Sequence, residues 1–239
     1  MKTAVKLVGI TKKAIRYSIP SIGILNDKFL DGLDWPADKE MVTFMFPRKA
    51  IKAGEPVKDM VSAGSYVCRT TWLVHKKKIR LGKPAGFAGG LALVPFKDRA
   101  EQMRFERAVD EKYFRKPFKK YLDPSYRAEA EDYYKNCLPQ SQAISVRKEG
   151  RVVAMVTLAK ITTASRLLKP LHWVTWIWVD PRLSAQQRQT THYLLRGWLR
   201  ESSSRYIGAT VHAVNVRSQK WFLKAGFRPV RVFFSRRRG

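Results

Sequence analysis

The segment that decides the fold of this chain is Asn215-Val-Arg-Ser-Gln-Lys-Trp-Phe-Leu-Lys-Ala-Gly-Phe227. Short apolar runs lie on both sides of it, at Ala209–Val214 and Val230–Phe234. The pattern predicts a strand, an amphipathic helix that begins after Asn215, and a second strand. Asn is favoured before the first turn of a helix, and Gly226 suits the left-handed conformation that closes the last turn.

The upstream sequence predicts the other elements of a mixed α/β domain. The run Leu171–Val179 is almost continuously apolar and aromatic, which predicts a strand buried on both faces. The remaining predicted elements are a strand over 91–96, a helix that Asp98 caps and that runs to about Lys120, a short helix over about 125–136, a hairpin over 143–158 with its turn at Glu149-Gly150, and a helix over 185–202.

This order of elements resembles that of the GNAT (Gcn5-related) N-acyltransferases. The opening segment also follows the family pattern N-x-x-[A/S]-x-x-[L/W]-[Y/F]-x-K-x-G-F, at Asn215, Ser218, Trp221, Phe222, Lys224, Gly226 and Phe227. The resemblance implies an α+β fold with a mixed sheet, a GNAT-like three-layer domain over residues 90–239. Residues 1–89 lie outside it. Their strand-like runs at Ala4–Ile10, Met41–Phe46 and Tyr66–Val74 predict a basic, β-rich N-terminal extension.

The resemblance also implies a site for an acyl-CoA donor, acetyl-CoA or another. Family members hold its pyrophosphate on a loop of pattern [Q/R]-x-x-G-x-[G/A], but here Thr190 and His192 replace both glycines. Side chains at these positions crowd a phosphate that approaches the backbone. Either side chains hold the donor instead, or the loop has lost donor binding and the fold is a scaffold. The donor-site residues implied are Trp178, Val179, Gln187, Arg188, Gln189, Thr190, Thr191, His192, Ser218 and Phe222.

Candidate catalytic residues follow from the same resemblance. Asn215 would orient the donor or a water molecule, and backbone N–H groups near Trp178 and Val179 would stabilise an oxyanion. Many family members carry, at the position of Phe222, a tyrosine that reprotonates the CoA thiolate, which Phe cannot do. The candidate bases that could deprotonate an amine are His172, His212 and Asp180.

The charge of the chain predicts a polyanionic partner. The 239 residues include 47 Lys and Arg against 19 Asp and Glu, a formal net charge of +28. Both halves share the excess, with 26 basic and 12 acidic residues in 1–120. Nucleic acid is the commonest partner of such a protein. The predicted contact residues are Lys76, Lys77, Lys78, Arg80, Arg115, Lys116, Lys119, Lys120, Arg231, Arg236, Arg237 and Arg238.

Other features narrow the class of protein. Cys68 and Cys137 stand far apart, which favours a reducing, cytoplasmic compartment and gives no disulfide framework. The four His residues show no metal-ligand spacing, and no run predicts a membrane span or signal peptide. One hypothesis is an acyltransferase that acts on nucleic acid or on a molecule bound to it, as phage-encoded GNAT-like enzymes modify DNA bases; its donor is an acyl-CoA or an aminoacyl-tRNA. The alternative is a catalytically degenerate GNAT-fold protein that binds or scaffolds DNA or RNA.

Overall fold

The computed structural model describes residues 6–10, 14–18, 41–47, 67–116, 130–160, 171–212 and 215–237. Within these ranges the chain forms a ten-stranded mixed sheet. The strands are β1 (Lys6–Ile10), β2 (Ala14–Ser18), β3 (Met41–Pro47), β4 (Val67–His75), β5 (Leu91–Pro95), β6 (Gln142–Lys148), β7 (Arg151–Lys160), β8 (Leu171–Val179), β9 (Tyr206–His212) and β10 (Arg228–Arg237). Their order across the sheet is β1-β2-β3-β10-β4-β9-β8-β7-β6-β5.

The α-helices of the described ranges are α1 (Arg99–Val109), α2 (Ala185–Arg200) and α3 (Val216–Lys224). Each begins after a polar N-cap, Asp98, Ser184 or Asn215, whose side chain accepts a backbone N–H bond from three residues on. The predicted helix after Asp98 continues beyond α1 as wider turns over Asp110–Arg115. A similar segment covers Tyr133–Cys137, and the predicted helical residues 117–129 lie outside the described residues.

Helices α1 and α2 cover opposite faces of the sheet. Leu195 and Leu199 of α2 belong to the same buried cluster as Val156 of β7. The next residue of β7, Thr157, faces the other side of the sheet, where its hydroxyl donates to Glu106 on α1. This arrangement confirms the predicted mixed-sheet domain with helices on both faces.

Strand β8 has the predicted bounds but not the predicted burial. Leu171, His172 and Val174 are buried, whereas the residues from Thr175 to Val179 are half-buried. The prediction that the strand is buried on both faces is therefore wrong for its second half. The reason is that β9 pairs with β8 only as far as Val174.

Strands from the N-terminal part of the chain belong to the same sheet. β4 lies between β9 and β10 and is antiparallel to both, and β3 pairs with the other side of β10. The runs predicted at 41–46 and 66–74 are thus strands, and β2 is a further strand that the sequence did not predict. The predicted extension therefore supplies neighbours for the C-terminal strand, and the division of the chain at residue 89 stays a prediction.

The C-terminal end of α3 packs closely against the turn that follows β4. Gly226 has a φ of +92°, the left-handed conformation expected after a helix. The Arg80 N–H donates to the Ala225 carbonyl at 3.0 Å. A Cβ atom at position 226 would lie 2.7 Å from the carbonyl oxygen of Lys78. Glycine is therefore required both for its backbone conformation and for the close approach.

Gly226→Ala should lower the free energy of unfolding by more than the ~1–2 kcal/mol that a left-handed conformation costs an L-residue. The excess arises because the new methyl group must displace the backbone at Lys78. Gly90→Ala is the matched control, since Gly90 has a φ of +72° and a Cβ there would meet nothing within 4 Å. Urea unfolding of both variants measures the difference, and equal destabilisation would contradict the role of the close approach.

Candidate active site

The sheet opens where β8 separates from β9. The two strands are parallel and pair only from Leu171 with Tyr206 to Val174 with Ala209. A β-bulge lies at the end of this pairing, because Leu158 of β7 pairs with Val174 and Thr157 with Trp176, which leaves Thr175 without a counterpart. A bulge bends its strand and increases the local twist. The bulge at Thr175 therefore turns β8 away from β9.

Two cavities lie at this opening. The first cavity, of about 350 Å³, is bounded by α2, α3 and the end of β8. The second cavity, of about 360 Å³, is bounded by β8, β9 and the segment around Tyr133. Residues that line both mark where the cavities meet: Phe114, Trp176, Ile177, Asn215 and Ser218. Two ligands bound there would approach each other at this junction.

Asn215 lies at the junction because it is the N-cap of α3. Its Oδ1 accepts the Ser218 N–H at 3.1 Å, and its own N–H donates to the His212 carbonyl at 2.9 Å. The first bond holds the side chain in place at the start of the helix, and the second holds the backbone of Asn215. The structure thus brings Asn215 and Ser218, both predicted from the sequence, to the centre of the site.

Backbone N–H groups of β8 also face the opening. The Asp180 N–H donates to Val153 of β7 at 2.8 Å. Because successive amides of an antiparallel strand point to opposite sides, the amide of Trp178 also faces β7. Those of Ile177 and Val179 face the opening, where β9 no longer pairs with β8. Of the two amides predicted near an oxyanion, that of Val179 faces the opening and that of Trp178 does not; the amide of Ile177 faces the opening with Val179.

The first cavity is lined by cations. Its walls carry five Lys and Arg side chains from two helices: Arg188 and Arg196 of α2, and Arg217, Lys220 and Lys224 of α3. Arg196 is buried, its guanidinium stacks on the Trp221 ring at 5.2 Å, and one nitrogen donates to the Leu81 carbonyl at 3.4 Å. A planar guanidinium fixed in this way suits phosphate oxygens. The electrostatics of the cavity favour an anionic ligand.

His192 contributes a neutral imidazole to the same wall. Burial lowers its pKa to about 4, and the positive charges of Arg196, Arg188 and Lys224 act in the same direction. The ring also contacts the Trp221 ring edge-on, with centroids 6.4 Å apart. At neutral pH the ring therefore does not add to the positive charge, and it can take up a proton when an anion enters.

The capping groups at the start of α2 form hydrogen bonds within the protein and do not face the first cavity. Ser184 and Gln187 form a capping box, so the Gln187 N–H is already satisfied. The Thr190 hydroxyl accepts the Ala88 N–H at 3.0 Å, which ties α2 to the connector over 82–90. Thr191 is buried and Gln189 is exposed. Of the predicted residues on this helix, the structure brings only Arg188 and His192 to the first cavity.

The three candidate bases lie in different surroundings. Asp180 lines the first cavity, but Arg182 donates to its carboxylate at 2.8 Å and 3.0 Å and Arg151 at 3.2 Å. His212 lines the second cavity. His172 lines neither cavity; burial lowers its pKa, and the positive charge of Lys160 adds to the effect. His212 is therefore the one of the three that is best placed toward a ligand in the second cavity.

The second cavity has aromatic walls. Its lining includes the rings of Phe114, Trp173, Trp176 and Phe222, and polar groups from Tyr133, Thr175 and His212. The Trp173 ring lies over Gly208 of β9, where a Cβ atom would come within 2.6 Å of Trp173 Cε3. Phe222, predicted at the donor, thus lines this second cavity instead of the first. Flat or apolar groups fit such walls.

The predicted nucleic-acid contacts are distributed over several surfaces. Lys77, Lys78, Arg80 and Lys116 are exposed. Lys76 donates to the Ser202 carbonyl at 2.7 Å, and Arg115 pairs with Asp110 at 3.1 Å, so these two cations already have protein partners. Arg231, Arg236 and Arg237 belong to β10, whereas Lys119, Lys120 and Arg238 lie outside the described residues. Their contact with nucleic acid stays a prediction.

Several residues of the site were not predicted. The cations of α3 occur at i, i+3 and i+7, and Arg188, His192 and Arg196 occur at i, i+4 and i+8, so helical spacing carried a readable signal for a common face. Tyr133, Thr175 and Glu106 had no such signal. They come together only because a helix, a bulged strand and a short helical segment meet at one point.

Comparisons with known structures agree with this architecture. An acetyltransferase of the GNAT family from Colwellia psychrerythraea superposes with a TM-score of 0.51 at 10% identity, over 94% of this chain and 78% of its own. A tandem GNAT protein from the clavulanic acid biosynthesis pathway gives 0.50 at 11% identity, over 84% and 65%. A functionally unknown conserved protein from Staphylococcus epidermidis gives 0.52 at 10% identity, over 100% and 96%. No protein-family profile and no curated protein sequence matches the chain.

The chain therefore has a GNAT-type fold, as the Asn215–Phe227 segment predicts. Identities of 10–11% establish the architecture alone. Among the residues that the structure describes, no helix has the length and apolar character needed to cross a membrane.

CoA, used as a polyanionic probe, should raise the pKa of His192 from about 4, because its phosphates offset the neighbouring cations. Binding then takes up a proton, so the affinity should increase as the pH falls from about 8 to about 5. His192→Gln should remove this part of the pH dependence. Calorimetry at several pH values measures it, with His75→Gln as the control because His75 lines neither cavity. A pH dependence unchanged in His192→Gln would contradict the assignment.

Proposed function

We propose that the protein transfers an acyl group from a phosphate-bearing donor in the first cavity to an amine in the second cavity. The acceptor is nucleic acid or a molecule bound to nucleic acid. One observation carries this proposal: a cation-lined cavity and an aromatic-walled cavity meet at a break in the sheet where backbone N–H groups face the opening.

The first cavity supports an acyl-CoA donor. Its phosphates would contact side chains, chiefly Arg188, Arg196 and Lys224, because the capping box already uses the Gln187 N–H. The thioester would reach along the end of β8 to the junction at Asn215. An aminoacyl-tRNA also carries an acyl group and phosphates, and it is the second donor that this charge pattern supports.

The junction supplies the groups that acyl transfer needs. When an amine attacks the acyl carbon, negative charge develops on the carbonyl oxygen. The N–H groups of Ile177 and Val179 face the opening, so they are available to stabilise that oxygen. Asn215 holds the acyl donor at the junction, because its own side chain is fixed by a hydrogen bond from the Ser218 N–H. Hydrogen-bond donors that are fixed in place, such as these strand amides, stabilise the transition state without reorganising during the reaction.

Charge and aromatic lining support a nucleic-acid acceptor. Beyond the cavities, Lys77, Lys78 and Arg80 are exposed on the turn next to Gly226 at the end of α3. A net charge of +28 attracts a polyanion much larger than either cavity. Bases stack on aromatic side chains, and the second cavity presents Trp173 and Trp176. A nucleobase that carries an exocyclic amine is therefore the acceptor that fits these walls.

One observation favours the second candidate function, a scaffold that binds nucleic acid without acyl transfer. The N-terminal turn of α2 is closed by its capping box, and Thr190 is bonded to the connector. These contacts occupy the place where a helix N-terminus binds phosphate. In a scaffold, the cations of the first cavity would serve nucleic acid directly.

Asn215→Ala should abolish acyl transfer and leave nucleic-acid affinity unchanged. The test uses radiolabelled acetyl-CoA with single-stranded DNA and with total tRNA as acceptors, after calorimetry of acetyl-CoA binding to nuclease-treated protein. Loss of an N-cap costs about 1 kcal/mol of stability. Asp98→Ala is therefore the control, since it removes the N-cap of α1 outside both cavities. Wild-type protein that binds nucleic acid but never acetyl-CoA would favour the scaffold or the aminoacyl-tRNA donor.

Removal of the charges at Lys77, Lys78 and Arg80 should weaken nucleic-acid binding and flatten its salt dependence. For each phosphate that the protein no longer neutralises, the negative slope of log K against log salt becomes less steep by about 0.9 for duplex DNA. Triple substitution to Gln removes the charge and keeps polar side chains at these positions. Filter binding at several salt concentrations measures the slope, with acyl transfer to a small amine as the control for folding. An unchanged slope would place the nucleic acid elsewhere on the protein.

A further inference from the structure

A buried carboxylate lies behind the wall of the second cavity. Glu106 of α1 is fully buried, and its two oxygens accept three hydrogen bonds. The donors are Thr157 Oγ1 at 2.7 Å, Gln102 Nε2 at 2.9 Å and the Tyr133 hydroxyl at 3.0 Å. All three donors are neutral groups, so the carboxylate is hydrogen-bonded but not paired directly with a cation among the described residues.

A chain of hydroxyl groups links this carboxylate to the cavity. The Tyr133 hydroxyl that donates to Glu106 also lies 3.1 Å from Thr175 Oγ1. Tyr133 and Thr175 both line the second cavity, whereas Glu106 does not. Thr175 is the bulge residue of β8, and bulges next to active sites re-aim side chains. The cavity wall is thus one hydrogen bond away from a buried proton acceptor.

The surroundings of Glu106 favour proton uptake. Burial is the largest influence and raises the pKa of Glu106, although its three hydrogen bonds and the positive charge of Arg99 act in the opposite direction. Arg99 itself donates to Gln102 Oε1 at 2.8 Å and to the Ser141 carbonyl. Tyr134 and Asp110 also lie close enough for electrostatic interaction within this cluster. A carboxylate in such a site is a better base than one exposed to water.

We propose that the second cavity holds the acceptor amine, that Tyr133 is the catalytic residue that removes its proton, and that Glu106 is the positioning residue that receives the tyrosine proton. This inference rests on the proposed function and names the base of that reaction.

In this step the amine nitrogen forms a bond to the acyl carbon. The bond from that carbon to the leaving group breaks, so the leaving group departs with the electron pair. The proton on nitrogen moves to the Tyr133 oxygen while the phenolic proton moves to Glu106. After the product leaves, Glu106 releases this proton to solvent by the same chain, and the leaving group takes a proton from water.

Substitution of the two groups that pass the proton tests the chain. Tyr133→Phe and Glu106→Gln should each lower kcat for acetyl transfer at least ~10-fold, and the double variant should lose no more than the worse single variant, because the residues act as one unit. Tyr134→Phe is the matched control. It removes a buried hydroxyl one residue away that lines neither cavity and has no hydrogen-bond partner within the described part of the chain.

The pH profile separates a catalytic role from a structural one. Glu106 must be ionised to receive a proton, so wild-type kcat should fall as the pH drops through its raised pKa. Glu106→Gln should remove this acidic limb. Acetyl-CoA is the donor, and single-stranded DNA, tRNA and tryptamine, a flat primary amine, are the acceptors. Circular dichroism confirms folding, and infrared difference spectra of wild type against Glu106→Gln follow the carboxyl group without any turnover.

The outcomes are distinct. Two results would overturn the proton chain and leave the proposed function standing. One is a pH profile of Glu106→Gln in which kcat still falls at acidic pH. The other is an infrared carboxyl band of Glu106 that does not change in Tyr133→Phe. No transfer by wild type to any acceptor overturns the proposed function and this inference with it. If the acidic fall of kcat is lost in Tyr133→Phe and in Glu106→Gln, and the pH profile of Tyr134→Phe is unchanged, the assignment is supported.

Discussion

The separation of β8 from β9 is the constraint on which the rest of this structure depends. Parallel pairing ends at Val174 because the bulge at Thr175 bends β8 away. Among the described residues, the separation leaves the amides of Ile177 and Val179 without a partner strand, and it opens the core on both sides of Asn215. An unpaired amide is costly in a core but useful where an oxyanion forms. The feature that interrupts the sheet is thus the one that forms the candidate site.

The two sides of the opening differ because different side chains line them. α2 and α3 present cations to the first cavity, where the rings of Trp221 and His192 pack beside them. Behind the wall of the second cavity, α1 and the first residue after it bury a polar stripe, with Gln102, Glu106 and Asp110 at successive helical turns. Burying such groups is unfavourable unless each finds a partner. The hydroxyls of Thr157 and Tyr133 supply partners for Glu106, so the same hydrogen bonds stabilise α1 and hold a buried carboxylate behind the wall of the second cavity.

The N-terminal strands give the C-terminal part of the domain its completed sheet. β10 pairs with β3 on one side and β4 on the other, and the turn after β4 meets Gly226 at the end of α3. The same turn carries exposed Lys77, Lys78 and Arg80. It therefore both presents this basic surface and packs against α3, the helix that lines the candidate site. The high net charge opposes compaction. Pairs such as Arg182 with Asp180 offset part of that repulsion.

The sequence by itself determined the elements: the strand over 171–179, the caps at Asp98 and Asn215, and Gly226 after α3 could be predicted because periodicity, capping and left-handed glycine are local properties. It also placed Asn215 and His192 in the site. The tertiary structure alone decided that Thr190 faces the connector, that Asp180 is held by two arginines, and that Glu106 meets Tyr133. The contacts of Thr190 and Glu106 join residues 102 and 27 positions apart, and no local pattern encodes which of many polar side chains will meet when β8 bends away from its neighbour.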